Sequence, residues 1–176
     1  MVGPEEWHLV GGRVRVVPAA MGEMPIVAGI LDEASAWLQS RGLPGWARPF
    51  PVETLEAALS IGTTYLAWDA STPAGTFSLH RIDVRFWGER PGEPRGYATY
   101  LHKLAISRTQ RGLGREFVAL AERIARESGA ERLRLDCRSD SPGIRGYYEA
   151  AGFRYRGEVS GPAFDAPYAL YEKSLV

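Results

Sequence analysis

Apolar and polar residues alternate through Arg13-Val-Arg-Val-Val17, the period-two pattern of a strand with one buried face. From Pro25 the spacing changes: Ile26, Val27, Ile30, Leu31, Ala34, Trp37 and Leu38 recur at helical intervals until Gly42 and Pro44 stop the run. Residues 43–51 hold three prolines and Trp46 and read as a loop packed by aromatics. Val52 to Ser60 predicts a short second helix carrying Leu55, Ala58 and Leu59, closed by Gly62. Thr63 to Asp69 and Gly75 to Asp83 are β-rich runs joined by the turn-like Ala70-Ser-Thr-Pro-Ala74, which predicts an antiparallel hairpin. Glycines and prolines crowd residues 85–96, the composition of a long surface loop.

The second half is more regular. Tyr97 to Ile106 predicts a strand, and Leu113, Phe117, Leu120, Ala121 and Ile124 mark one face of the helix that follows, up to Gly129. Arg132-Leu-Arg-Leu-Asp-Cys-Arg138 alternates again; two strands joined through one helix make a β-α-β unit and should run parallel. Pro142 to Ala151 predicts a short helix stopped by Gly152, and Tyr155 to Val159 and Tyr168 to Ser174 predict the last strands. No repeat, low-complexity tract or linker divides the chain, so its 176 residues are expected to form a single domain.

Composition narrows the partners. With 21 basic and 21 acidic residues, the chain lacks the positive excess that nucleic acid or a membrane surface favours, so neither is expected as a partner. Cys137 is the single cysteine and allows no intramolecular disulfide. The start, Met1 to Trp7, lacks the apolar core of a signal peptide, and no apolar run is long enough to span a bilayer, so a cytoplasmic protein is expected. The histidines, His8, His80 and His102, are scattered, and no close His/Cys/Asp/Glu grouping points to a metal.

The chemistry concentrates in His102 to Arg115. An apolar strand pattern there runs into the basic turn Gln110-Arg111-Gly112-Leu113-Gly114, and an amphipathic helix follows at once. A helix leaves its first N–H groups unpaired and its dipole places about half a positive charge at that end, while glycines let an anion approach the bare backbone. Lys103, Arg108, Arg111 and Arg115 add full charges with no acid between them. A phosphate-bearing ligand fits this arrangement; a tight structural turn is the plainer alternative. A dinucleotide-binding domain expects a third glycine and an earlier place in an alternating βα series, and a P-loop expects Gly-Lys-Ser/Thr, so both fit less well.

At Leu104-Ala-Ile106 and Thr109-Gln-Arg-Gly112-Leu-Gly114 the chain resembles the GNAT superfamily of acyl-coenzyme A N-acyltransferases, whose signature is Gln/Arg-x-x-Gly-x-Gly/Ala after such a strand. Thr109 stands where Gln or Arg is usual. A second match, Ser141-Pro-Gly-Ile-Arg-Gly-Tyr-Tyr148-Glu-Ala-Ala-Gly152-Phe153, is similar to the family's Asn-x-x-Ala-x-x-x-Tyr-Glu-x-x-Gly-Phe element, with Ser141 replacing Asn. The likeness extends from about Val14 to about Tyr171.

The resemblance implies an α+β (α/β) GNAT fold: a mixed, mostly antiparallel sheet of about seven strands, about four helices on both faces, and a central parallel β-α-β unit. It implies acetyl-coenzyme A as co-substrate, no metal, and direct attack by a primary amine of a small molecule or peptide. A catalytically silent acyl-coenzyme A sensor on the same fold is the alternative. The backbone of Leu104, Ala105 and Ile106 is implied to pair with the pantetheine arm, and Gln110, Arg111, Gly112, Leu113, Gly114 and Arg115 to hold the pyrophosphate, with Ser141 and Tyr148 also at the cofactor. Tyr148 is implied as the acid at the departing thiolate, since a phenol is still protonated at neutral pH. For the base, His102 titrates in the useful range, and Glu89 and Asp83 are further candidates. Cys137 sits mid-pattern on an apolar strand and reads as a core thiol. A homodimer through the terminal strands is left open.

Overall fold

A computed structural model describes residues 6–9, 11–88, 92–94, 97–110 and 112–176. The helices of seven or more residues are α1 (Met24–Gln39), α2 (Val52–Ala58), α4 (Gly114–Glu127) and α5 (Pro142–Ala150). A four-residue helix, α3 (Val84–Trp87), occupies the start of the region expected to be all loop; Asp83 caps it by accepting from the Phe86 N–H at 3.1 Å. Among the described residues the strands are β1 (Trp7–Leu9), β2 (Val14–Pro18), β3 (Gly62–Asp69), β4 (Thr72–His80), β5 (Ala98–Ile106), β6 (Arg132–Arg138), β7 (Arg154–Val159) and β8 (Tyr168–Ser174). They form one eight-stranded sheet in the order β1-β2-β3-β4-β5-β6-β8-β7, one strand more than expected because β1 pairs with β2. The β5/β6 pair is parallel, while β1/β2, β2/β3, β6/β8 and β7/β8 are antiparallel.

The chain divides into two compact units, residues 1–78 with 103–117, and residues 79–102 with 118–176. In the first, the apolar stripe read from the sequence becomes the inner face of α1: Met24, Val27, Ala28, Ile30 and Leu31 are buried with Phe50, Leu55, Leu66 and Ala105. Fully burying one such aliphatic side chain is worth about 1.5–3 kcal/mol, so this face far outweighs the helix propensity of any residue in it. Trp46 packs on the edge of the same cluster, as the aromatic loop reading requires. Gly75, mid-strand in β4, has no room for a side chain: a Cβ there would lie 2.8 Å from the Ala105 carbonyl and 2.8 Å from the Phe117 ring.

In the second unit, β6 alternates as its sequence implies, with Leu133 and Leu135 buried. Its polar partners Arg132, Arg134, Asp136 and Arg138 fall on the other face by the two-residue period. Arg134 is only 3 % exposed, yet it is fully compensated, donating to both Glu93 carboxylate oxygens at 2.7–2.8 Å, to Glu172 at 2.8 Å and to the Tyr100 hydroxyl at 3.2 Å. Trp87, Tyr97 and Tyr155 line a cleft of about 480 Å³ around it, together with Glu93, Arg156 and Glu172. The buried guanidinium is thus paired with carboxylates and faced by the rings of Trp87, Tyr97 and Tyr100.

Candidate active site

In the first unit, β5 changes character at Lys103, whose φ of 51° is left-handed. A side chain there crowds the following carbonyl, so few non-glycine residues adopt it, and such strain gathers at functional sites. The two-residue alternation that placed Tyr100, His102 and Leu104 on one face therefore ends at His102. Ala105, not Leu104, is the residue buried in the α1 cluster.

The chain then turns tightly. Ser107 N–H donates to the Ala74 carbonyl at 2.9 Å, and Gln110 N–H to the Ser107 carbonyl at 2.9 Å. Glu33 of α1 clasps the turn, accepting from the Arg108 N–H at 2.9 Å and the Ser107 hydroxyl at 3.2 Å. The Arg108 guanidinium lies 4.0 Å from the Trp37 ring centre, a cation–π contact. The Gln110 side chain donates to Asp69 at 2.6 Å, and Asp69 is also gripped by Arg13. These two donors hold the Asp69 carboxyl below its ordinary range, Arg13 contributing most. Both N–H groups of Gln110 that face inward are thus engaged within the fold. The donors left for an anion come after it: Gly112 has a φ of 96° and open space around it, and α4 begins at Gly114 with the unbonded N–H groups of a first helical turn. Arg115 is exposed beside them. Arg111 and Glu89 lie outside the described residues.

In the second unit, Tyr148 stands in the last turn of α5, held by a compact helix ending. Gly152 N–H donates to the Glu149 carbonyl and Phe153 N–H to the Tyr148 carbonyl, each at 3.0 Å, with Gly152 at a φ of 89°. This is the helix-terminating pattern that favours glycine and an apolar contact across it, and the Tyr148 and Phe153 rings meet edge to face at 5.7 Å. The spacing Tyr-Glu-x-x-Gly-Phe therefore has a local structural cause: it fixes the tyrosine's place at the helix end. Tyr148 is 7 % exposed, and burial above all raises its phenol well beyond the usual value, so it remains protonated. Ser141 precedes α5 and makes no capping bond with its side chain. Cys137 is buried, and burial first, then Asp136, pushes its thiol up to about 12; it is a core thiol and a poor nucleophile.

His102 is the residue the fold changes most. The parallel register pairs Tyr100 with Arg134 and Leu101 with Leu135, and one further step brings His102 beside Asp136. The His102 Nδ1 lies 3.5 Å from Asp136 Oδ1, and Nε2 lies 3.4 Å from Asp83 Oδ2. The His80 ring lies against it, tilted by 38° with centroids 4.5 Å apart. Beyond stand Phe86, Phe164 and Tyr168, whose ring centroids lie 5.1–6.0 Å from one another. Histidines and carboxylates that look scattered in the sequence are thus gathered: one ligand atom each from Asp83, His102 and Asp136 lies within 4.8 Å of the others. The two carboxylates face different ring nitrogens and neither closes a hydrogen bond to the ring, so the group is an imidazole flanked by two carboxylates. Asp136 was missed in the sequence; its one signal was its place among the polar positions of β6, which says nothing about what they face.

This architecture matches known proteins. Residues 31–153 match the Acetyltransferase (GNAT) family model, and the chain belongs to that family. It is an acetyltransferase of the mixed sheet-and-helix type described above. A relative in Bacillus subtilis, the uncharacterized N-acetyltransferase YesJ, is 26 % identical over 168 residues, covering 90 % of this chain and 88 % of that protein. A GNAT family acetyltransferase structure from Listeria monocytogenes superposes with a TM-score of 0.76 at 23 % identity, covering 97 % of this chain and 99 % of that one. The putative acetyltransferase yncA from Salmonella typhimurium, solved with its cofactor acetyl-CoA, gives a TM-score of 0.64 at 12 % identity over 93 % of this chain and 95 % of its own. No helix among the described residues is long and apolar enough to cross a membrane.

Proposed function

We propose that the chain transfers an acetyl group from acetyl-coenzyme A to a primary amine of a small molecule or peptide, by direct attack within a ternary complex. The observation that carries this reading is the passage from the left-handed Lys103 through the clasped turn at Ser107 to the open, basic start of α4. Its donor set fits a pyrophosphate: backbone N–H groups of Gly112, Leu113, Gly114 and Arg115, a helix dipole, and the Arg115 charge. The yncA protein, with acetyl-CoA in its structure, has the same fold. The backbone of Leu104 to Ile106 is suited to receive the pantetheine amides as a neighbouring strand would be. The Ser141 hydroxyl, unused in capping, adds a further donor.

The co-substrate supplies an activated thioester. Holding the amine and the thioester in line can account for about 7–11 kcal/mol of the barrier. An amine with a pKa near that of lysine arrives protonated, and His102 Nε2 takes the surplus proton while Asp136 faces the other ring nitrogen. As the C–S bond breaks, Tyr148 hydrogen-bonds the departing thiolate, which takes the second proton that the nitrogen loses as the amide forms. Its raised pKa makes it a donor that keeps its own proton, since a thiol near 8.5 is the stronger acid of the two. A cytoplasmic setting accompanies this reading, in keeping with the lone, buried Cys137.

Calorimetry with acetyl-coenzyme A, followed by a free-thiol release assay over a panel of amines, tests the proposal. Binding well below millimolar concentration together with amine-dependent thiol release is the expected result. Absence of binding overturns the cofactor assignment, and binding without release for any amine leaves an acyl-coenzyme A sensor in its place.

A further inference from the structure

A carboxylate stands at the entrance to the turn assigned to a pyrophosphate, where charge alone argues against one. Glu33 is exposed on α1, and its Oε1 accepts from the Arg108 N–H at 2.9 Å while its Oε2 accepts from the Ser107 hydroxyl at 3.2 Å. A negative group near a phosphate weakens the site by like-charge repulsion, so attraction gives no reason for its place there. The reason lies in what its oxygens hold.

Arg108 is gripped twice by one face of α1. Glu33 takes its backbone N–H, and Trp37, one helical turn further on, takes its guanidinium at 4.0 Å from the ring centre. Ser107 is buried and held at both ends: its N–H donates to the Ala74 carbonyl at 2.9 Å, and its hydroxyl donates to Glu33. The Ser107 carbonyl then receives the Gln110 N–H at 2.9 Å. These bonds fix the backbone that runs toward Gly112, which has a φ of 96°. Glycine is the least restricted residue, so the direction of the Gly112 amide is set by what flanks it, the clasped turn before and α4 after. Other residues of the same helix serve a different segment. Asp32 accepts from the Phe50 N–H at 2.8 Å, and the Ser35 hydroxyl donates to the Trp46 carbonyl at 2.6 Å.

We propose that Glu33 is a positioning residue for the co-substrate, acting through Ser107 and Arg108 to hold the amides of Gly112 to Arg115 in the direction that receives the pyrophosphate. Its hydrogen-bonding shape, not its charge, is what binding depends on. The inference rests on the acetyl-transfer reading above and deepens it. Two substitutions separate shape from charge. Glu33→Ala removes both acceptors and releases the turn. Glu33→Gln carries no charge, yet its carbonyl still accepts from the Arg108 N–H and its amide donates to the Ser107 oxygen.

Calorimetric titration of the full chain and its variants with coenzyme A, alongside melting curves, tests this. Glu33→Ala should weaken coenzyme A about tenfold, the scale of one hydrogen bond to a charged group. Glu33→Gln should bind as tightly as the parent or more tightly, a rescue that a role through charge would not give. Ser107→Ala keeps one of the two bonds and should weaken coenzyme A by about threefold. Asp32→Ala removes an equal charge and a comparable bond from the same helix; it should melt lower while coenzyme A affinity stays within about twofold. Undiminished affinity in Glu33→Ala, a Glu33→Gln protein as weak as Glu33→Ala, or an equal loss in Asp32→Ala overturns the proposal. Should Glu33→Ala fail to fold, undiminished affinity in Ser107→Ala or a tenfold loss in Glu33→Gln overturns it. A parent that binds no coenzyme A overturns the cofactor reading of the turn and this inference with it, whereas a parent that binds with unaffected variants overturns this inference alone.

Discussion

One methyl group added at Gly75 should destabilise the protein and disturb the strand proposed to hold the pantetheine arm. A Cβ built there lies 2.8 Å from the Ala105 carbonyl oxygen, 2.8 Å from Phe117 Cζ and 3.0 Å from Phe117 Cε1. Neither neighbour can swing aside into solvent: the first is backbone of β5, and Phe117 is 0 % exposed and packed edge to face on Phe77 at 5.8 Å. Relief needs a shift of the strand or the ring, and overpacking of this kind costs about 1–3 kcal/mol. At about 2–4 °C per kcal/mol for a domain of this size, Gly75→Ala should melt about 2–12 °C below the parent. Because the Ala105 carbonyl belongs to Leu104–Ile106, acetyl-coenzyme A affinity should fall as well. Gly146→Ala is the matched control. Gly146 lies inside α5 with nothing within 4 Å of an added Cβ, so the same methyl should stabilise by about 0.5–1 kcal/mol through helix propensity alone. Differential scanning fluorimetry and cofactor titration on both variants suffice. A Gly75→Ala protein that melts within a degree of the parent would refute the close-packing argument.

Two other outcomes follow from particular groups. Tyr148→Phe keeps the ring packing on Phe153 and deletes one donor to a developing thiolate; at about 1.5–3 kcal/mol for a hydrogen bond to a charged group, turnover should fall about 10–150-fold with little change in melting temperature, and full activity would remove Tyr148 from the mechanism. Burial raises the Cys137 thiol to about 12, above its value of about 8.5 in an unfolded chain, so the folded protein keeps a proton that the unfolded chain releases. The resulting stability is present below about pH 8.5 and is lost as pH rises toward 12, so the urea midpoint of the parent should drop more steeply between pH 7 and pH 10.5 than that of Cys137→Ala; parallel curves would contradict it.

The amino-acid pattern alone determined the local elements and the two motifs. The spacing in α1 and α4, the alternation in β2 and β6, and the glycine stops are properties of a few neighbouring residues, because helix and strand periods are set by backbone geometry. The Tyr148-to-Phe153 element belongs to the same class, since its hydrogen bonds and ring contact all close within six residues. Even α3 is local in origin, but its single turn lay beneath the resolution of any period. Only tertiary structure decided which charges meet. Glu33 reaches the phosphate-type turn across 75 residues of sequence, Asp69 engages Gln110 across 41, and Asp136 reaches His102 through the parallel register of β5 and β6. A sequence states that such residues are polar, but strand order and register select their partners. The scattered histidine of the sequence and the carboxylate-flanked imidazole of the fold are therefore the same residue, and its carboxylate neighbours could be read only once the strands were paired.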